Sequence, residues 1–130
     1  MNLLLDTQAW LWLQVTPERL NGEATALVED LRTRLFLSAA SSWEISVKYG
    51  LGKLPLPVPP AEYVPVRMRD NGVRGLPVTH RHALHVATLP PHHRDPFDRM
   101  LIAQAQLEDL TVLTADRRFE KYDVPVRWAD

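Results

Sequence analysis

Four acidic side chains in this sequence each follow a candidate strand or its loop, where helical patterns begin or close by. Asp6 closes the run Asn2–Leu5, and Asp116 follows Thr111–Thr114 by two residues. Glu44 lies in Ser41-Ser42-Trp43-Glu44, behind the apolar segment Leu35–Ala39, and Asp98 lies in Asp95-Pro96-Phe97-Asp98. Each has a local structural use. Asp6 suits the N-cap of a helix, and Ser41 and Glu44 have the three-residue spacing of a capping box. Asp95 reads as an N-cap with Pro96 at the first helical position, which places Asp98 in the first turn, near the positive end of the helix dipole. Asp116 suits the cap of a short helix over Arg117–Tyr122. As a set they can do more. Ionised carboxylates held close together repel and raise one another's pKa unless a cation sits between them. Mg²⁺ takes oxygen donors, typically a few carboxylates plus water and substrate phosphate, and Mn²⁺ suits the same ligands. An ion held this way orients a water, lowers its pKa and neutralises charge developing on a phosphodiester. Capping and metal binding are compatible, because a helix N-terminus stabilises the anion that a metal needs.

Convergence of these acids depends on the elements around them. Asn2–Leu5 and Thr111–Thr114 read as buried strands, Leu35–Ala39 and Val73–Val78 as weaker ones, and Pro125–Trp128 as an edge strand. Helical patterns cover Thr7–Gln14, Glu23–Leu35, Ser42–Tyr49, Ala61–Asn71, His80–Leu89 and Pro96–Leu110. Strands alternating with helices of this length predict parallel βαβ units in an α/β fold. In such a sheet the C-terminal ends of the strands share one edge, and sites form there. Leu54–Pro60 holds four of the 11 prolines and reads as a stiff connector within one domain spanning 1–130.

Composition removes several alternatives. The 130 residues suit one domain, and the absence of cysteine excludes disulfides, iron–sulfur clusters, thiolate zinc sites and thiol catalysis. Met1-Asn2 offers no basic segment ahead of the first apolar run, so no signal peptide is expected. No apolar run approaches the ~20 residues of a membrane span, which points to a cytoplasmic protein. The net charge of −1 argues against a uniformly basic nucleic-acid coat, yet 12 of the 15 cations are Arg, the better partner for phosphate. Five of these fall between Arg67 and Arg94 against one acid, Asp70.

With those residues in view, the chain resembles the PIN-domain nucleases, specifically the VapC-type toxins of bacterial toxin–antitoxin pairs. The matching pieces are LLLDTQAWLW (Leu3–Trp12), SAASSWEISVKYGLGKL (Ser38–Leu54), LPPHHRDPFDRMLIAQA (Leu89–Ala105) and VLTADRRFEKY (Val112–Tyr122), in family order across almost the whole chain. The resemblance implies a three-layer α/β/α sandwich with a short parallel sheet, and a Mg²⁺-dependent endoribonuclease in which Mn²⁺ can substitute. It places the family's acidic quartet on Asp6, Glu44, Asp98 and Asp116. Asp6, Asp98 and Asp116 would hold the ion, directly or through water, and Glu44 would bind a second ion or position the nucleophilic water. In-line attack would leave 5′-phosphate and 3′-hydroxyl ends. Asp95 is an extra acid, either a cap or a ligand through water. Thr7 and Thr114 flank two of the acids, where they either hydrogen-bond carboxylate, water or phosphate or close the strand–helix turn. Arg94, Arg99, Arg117 and Arg118 stand beside the acids in sequence and are candidates to anchor flanking phosphates. The resemblance further implies a VapB-like antitoxin, clasped in an apolar groove near the N-terminal helices with an antitoxin Arg reaching the acids, and a homodimer. The same chemistry would serve DNA, and a PIN-like module that binds RNA or protein without cutting is the alternative reading.

Two other features compete for attention. All five His fall between His80 and His93. His82 and His85 should share a helix face, but the spacing matches no zinc motif. His93, next to the DPFD block, is expected to contact RNA or a partner subunit. Trp10 and Trp12 stand two apart on one helix, so one is expected in the core and the other exposed as an interface.

Overall fold

Five parallel strands form one sheet in the order β3-β2-β1-β4-β5: β1 (Asn2–Leu5), β2 (Arg34–Ser38), β3 (Val73–Leu76), β4 (Thr111–Thr114) and β5 (Val126–Trp128). The computed structural model describes all of residues 1–130. Between the strands run α1 (Thr7–Val15), α2 (Gly22–Glu29), α3 (Ala39–Gly50), α4 (Pro60–Asn71), α5 (His80–His85) and α6 (Pro96–Glu108), with 3₁₀ turns at Pro17–Arg19, Val86–Thr88 and Arg117–Lys121. No helix is long and apolar enough to cross a membrane.

The alternation of side chains along each strand divides the core in two. Leu3, Leu5, Leu35, Leu37 and Leu113 face one side, where they pack with Trp10, Ala24, Ile45 and Val64. Leu4 and Val112 face the other side, against Leu101, Ile102, Ala105 and Phe119. Helices therefore cover both faces, which is the expected α/β/α sandwich. The central strands are buried on both faces, which is why they read as unbroken apolar runs.

The expected elements differ from the observed ones in three places. The helix expected over Glu23–Leu35 ends at Glu29, because the Asp30 carboxylate accepts the Arg32 N–H at 2.9 Å and starts a turn that feeds β2. The helix carrying Glu44 begins at Ala39, not Ser42. Ser38 is its cap, accepting the Ala40 N–H at 3.0 Å, so Ser41 and Glu44 form no capping box. The pattern over His80–Leu89 resolves into α5 and a 3₁₀ turn.

Trp10 and Trp12 correct another expectation, since both are buried. Trp10 meets the Tyr63 ring edge-on at 6.3 Å, and the Arg19 guanidinium lies 4.7 Å from the centre of the Trp12 ring. The helix is apolar on most sides because it is covered on most sides. The exposed tryptophan is Trp43, which meets Phe97 edge-on at 4.9 Å.

Candidate active site

Going out from β1, the chain runs through β2 to β3 on one side, and β4 and β5 occupy the other. The crevice between the C-terminal ends of β1 and β4 is thus the point where strand order reverses, the preferred ligand site of an open parallel sheet. Asp6 and Asp116 both stand there. The Asp6 N–H donates to the Leu113 carbonyl at 3.0 Å, which fixes the first acid to the end of the neighbouring strand.

One cleft of about 460 Å³ is lined by Asp6, Glu44, Asp95, Asp98 and Asp116, with Thr7, Gln8, Lys48 and Lys53 at its polar margin and Leu11, Ile45, Leu54 and Ala115 as its apolar wall. The acids arrive from four elements. Asp6 caps α1, accepting the Ala9 N–H at 2.7 Å. Glu44 lies on α3. Asp98 occupies the first turn of α6, whose cap is Asp95, accepting from the Phe97 and Asp98 N–H groups at 2.8 and 3.2 Å. Asp116 caps the turn Arg117–Lys121.

Their surroundings set their charge. Burial pushes the Asp6 carboxyl up to about 6, although hydrogen bonds from Thr114 and Ala9 oppose the shift. Burial pushes Asp98 up to about 8, reinforced by the negative charges of Asp95, Asp6, Glu44 and Asp116. Asp116 goes the other way. Partial burial raises it, but hydrogen bonds from Arg118 and His93 outweigh that and hold it at about 2. Glu44 is almost fully buried. Its Oε2 meets the Lys48 ammonium at 2.5 Å, which raises the Lys48 pKa, and its Oε1 has no hydrogen-bond donor. A buried carboxylate oxygen without a partner, in a cleft with four further aspartates, suits a hard divalent cation.

The supporting residues sort differently from expectation. Thr114 donates its hydroxyl to Asp6 Oδ2, whereas Thr7 donates to Ser41 Oγ at 2.8 Å and ties α1 to α3. Of the four arginines, Arg94 is exposed, one residue before Asp95. Arg118 grips Asp116 with two side-chain donors, at 3.0 and 2.8 Å. Arg117 covers the Trp128 ring at 4.1 Å and pairs with Asp130 at 3.3 Å. Arg99 is not a free phosphate anchor. Its guanidinium donates to the carbonyls of Val86, Leu89, Pro90 and His93 and to the Tyr122 hydroxyl, which makes it the clamp of the segment ahead of α6.

His93 differs most from the sequence reading. Far from facing RNA or a partner, it is 2% exposed, with Nε2 2.9 Å from Asp116 Oδ2 and 3.0 Å from Asp98 Oδ2. Lys48 is a second site residue that the sequence reading misses; its i+4 spacing from Glu44 on a helix is the signal that could have found it. The remaining histidines disperse. His82 and His85 do share a face, bonding Glu108 at 2.8 Å and Gln106 at 2.7 Å on α6, while His92 packs edge-on against Tyr122.

A PIN domain family model matches residues 3–125. Ribonuclease VapC16 of Mycobacterium tuberculosis is 54% identical over 63 residues, a stretch covering 48% of this chain and 45% of that protein, so the match spans less than half of the relative. Among solved structures, VapBC2 from Rickettsia felis bound to a DNA fragment from its promoter superposes with a TM-score of 0.75 over the whole of both chains at 13% identity. FitAcB from Neisseria gonorrhoeae gives 0.62 at 25% identity over 95% of each chain. A DNA-bound VapBC from Salmonella typhimurium gives 0.67 at 17% identity, covering 100% of this chain and 99% of that one.

Proposed function

The chain belongs to the PIN-domain family, and from that premise we propose that it is a metal-dependent endoribonuclease acting as the toxin of a toxin–antitoxin pair. The observation that carries this reading is the composition of the cleft. It combines a quartet of acids at the strand-order reversal, one carboxyl pushed up to about 8 by burial and its neighbours, and a buried Glu44 oxygen without a donor. Such a cluster is costly alone and becomes favourable with a bound divalent cation.

Asp6, Asp98 and Asp116 would hold Mg²⁺, with Mn²⁺ as a substitute. When bound, the ion supplies a water of lowered pKa and neutralises charge on the scissile phosphate. Asp6 is fixed by Ala9 N–H and Thr114 Oγ1, so its free lone pairs face the cleft with little rotamer freedom. Glu44 presents Oε1 while Lys48 holds Oε2, an arrangement able to accept a proton from an attacking water or to take a second ion. Lys53 lines the cleft, and Arg94, exposed and next to Asp95 in sequence, is the second cation proposed for the flanking phosphates.

The relatives named as VapBC complexes support a VapB-like antitoxin as inhibitor. The apolar wall of Leu11, Ile45, Leu54 and Ala115 beside the acids suits an apolar segment whose basic residue reaches the carboxylates. A homodimer is part of the same proposal, supported by the exposed Trp43 over an apolar depression shared with Val78, Phe97 and Met100. Light scattering of the co-purified complex tests both assemblies, and a monomer without a small partner argues against them.

The decisive experiment compares antitoxin-free wild-type protein with Asp6→Asn on structured and unstructured RNA in Mg²⁺ or Mn²⁺. Metal-dependent cleavage that the substitution abolishes is expected. Equal cleavage by both proteins points to a contaminating nuclease, and metal binding without cleavage favours the non-catalytic module.

A further inference from the structure

We propose that His93 is a positioning residue for the metal site: its Nε2–H bridges the Asp98 and Asp116 carboxylates and sets their separation. The inference rests on the metal-dependent reading above and goes beyond the acidic quartet. The Asp98 and Asp116 carboxyl groups have oxygens within 4.8 Å of each other, and when both are ionised they repel in a cleft of low dielectric. Asp116 is also drawn outward by the half-exposed Arg118, whereas Asp98 rides on the first turn of α6. Nε2 hydrogen-bonds Asp116 Oδ2 at 2.9 Å and lies 3.0 Å from Asp98 Oδ2, so one donor stands between the two groups and holds them side by side.

The hydrogen-bond pattern assigns the tautomer. Asp95 N–H donates to His93 Nδ1 at 3.1 Å, so Nδ1 carries a lone pair and Nε2 carries the proton. The ring is therefore a donor to the carboxylates and, as placed, has no lone pair for an ion, although its Nε2 lies among oxygens that could share one. The imidazole is itself held on several sides. His93 N–H donates to the Tyr122 hydroxyl at 2.8 Å, its carbonyl accepts from Arg99 at 3.2 Å, and Phe119 meets its ring edge-on at 5.9 Å. Tyr122 in turn donates to the Pro90 carbonyl at 2.8 Å, which closes the segment around the ring. That much buried, satisfied structure converging on one imidazole gives the donor a fixed position.

Two substitutions separate the donor from the packing. Gln places an amide near the Nε2 position, whereas Asn places one near Nδ1 and leaves the carboxylates unbridged. Mn²⁺ affinity, read from free Mn²⁺ by electron paramagnetic resonance, is expected to fall about 10- to 100-fold in His93→Asn and to stay within about threefold of wild type in His93→Gln. Asn binding Mn²⁺ as tightly as wild type overturns the proposal, as does an equal loss in both variants. Wild-type protein that binds no Mn²⁺ overturns the functional reading instead. A measurement on metal-free wild type guards against variants that fail to fold. Long-range ¹H–¹⁵N spectra are expected to show protonated Nε2 and bare Nδ1 for His93, and the opposite tautomer overturns the bridge.

Discussion

Thr114 Oγ1 donates to Asp6 Oδ2 across the gap between β4 and β1, and the same hydroxyl oxygen accepts the Asp116 N–H at 3.0 Å. One side chain thus links two of the acids. Because its bond to Asp6 favours the ionised form, it opposes the rise that burial imposes on that carboxyl. Thr114→Val removes the donor at nearly constant volume and should raise the Asp6 pKa above about 6. The acid limb of the cleavage–pH profile then moves to higher pH. Activity near pH 6 is expected to fall about tenfold, with a smaller loss near pH 9, while Thr114→Ser keeps the wild-type profile. A uniform loss at every pH would mean that the hydroxyl acts through packing alone.

The raised Asp98 carboxyl predicts how the metal-free protein responds to pH. A carboxyl that sits at about 8 when folded, against an ordinary value of 3.8, is penalised once ionised. Its contribution to stability is complete below the unfolded value and is lost as pH rises through the folded one. Thermal melts in chelator should therefore lose about 2–6 °C between pH 5 and pH 8.5. Asp98→Asn should flatten that decline, and Mn²⁺ should reverse it in the wild type because binding releases the retained proton. A metal-free melting temperature that rises over this range would contradict the assignment.

The exposed Arg94 and the clamped Arg99 offer a paired comparison. Arg99→Ala strips donors from four carbonyls and the Tyr122 hydroxyl, and is expected to cost about 2–4 kcal/mol in denaturant unfolding. Arg94→Ala should leave stability within about 0.5 kcal/mol of wild type and raise KM for RNA, more so at low salt. Equal destabilisation by both would show that Arg94 also serves the fold.

The same arginines show what a linear reading can and cannot reach. Asp6 and Asp116 are legible because a fully buried strand must be apolar until it leaves the sheet, so the first acid marks the exit. The helix caps at Asp6, Asp95 and Asp116 are legible for the same local reason. His93 is not. Its neighbours Pro90, Pro91, His92 and Arg94 read as a polar loop, and its burial depends on Arg99, Phe119 and Tyr122, six to 29 residues away. Trp12 fails for a related reason. Helical periodicity assigns one face to solvent, but the turn Pro17–Arg19 folds back and Arg19 covers that face. Side chains that are buried by a loop, rather than by the sheet, leave no period in the sequence.

Lys48 and Glu44 supply a test of whether the site is built for function at a cost in stability. Glu44 is buried, one oxygen on the Lys48 ammonium and the other without a donor. Lys48→Met leaves the buried carboxylate unpaired and should destabilise the metal-free protein by about 2–4 kcal/mol. Glu44→Gln removes the charge that Lys48 balances, yet Lys48 is half exposed and recovers solvent, so the cost should be near zero or a slight gain. The double substitution Glu44→Gln/Lys48→Met should then lie much closer to wild type than Lys48→Met does, a coupling of about 1–3 kcal/mol in a double-mutant cycle. Metal should change the ranking: Mn²⁺ is expected to restore Lys48→Met, whose Glu44 oxygens are both free to accept the ion, but not to raise the melting temperature of Glu44→Gln as far as that of wild type. If Mn²⁺ stabilises all four proteins equally, Glu44 does not face the ion and serves only as the partner of Lys48.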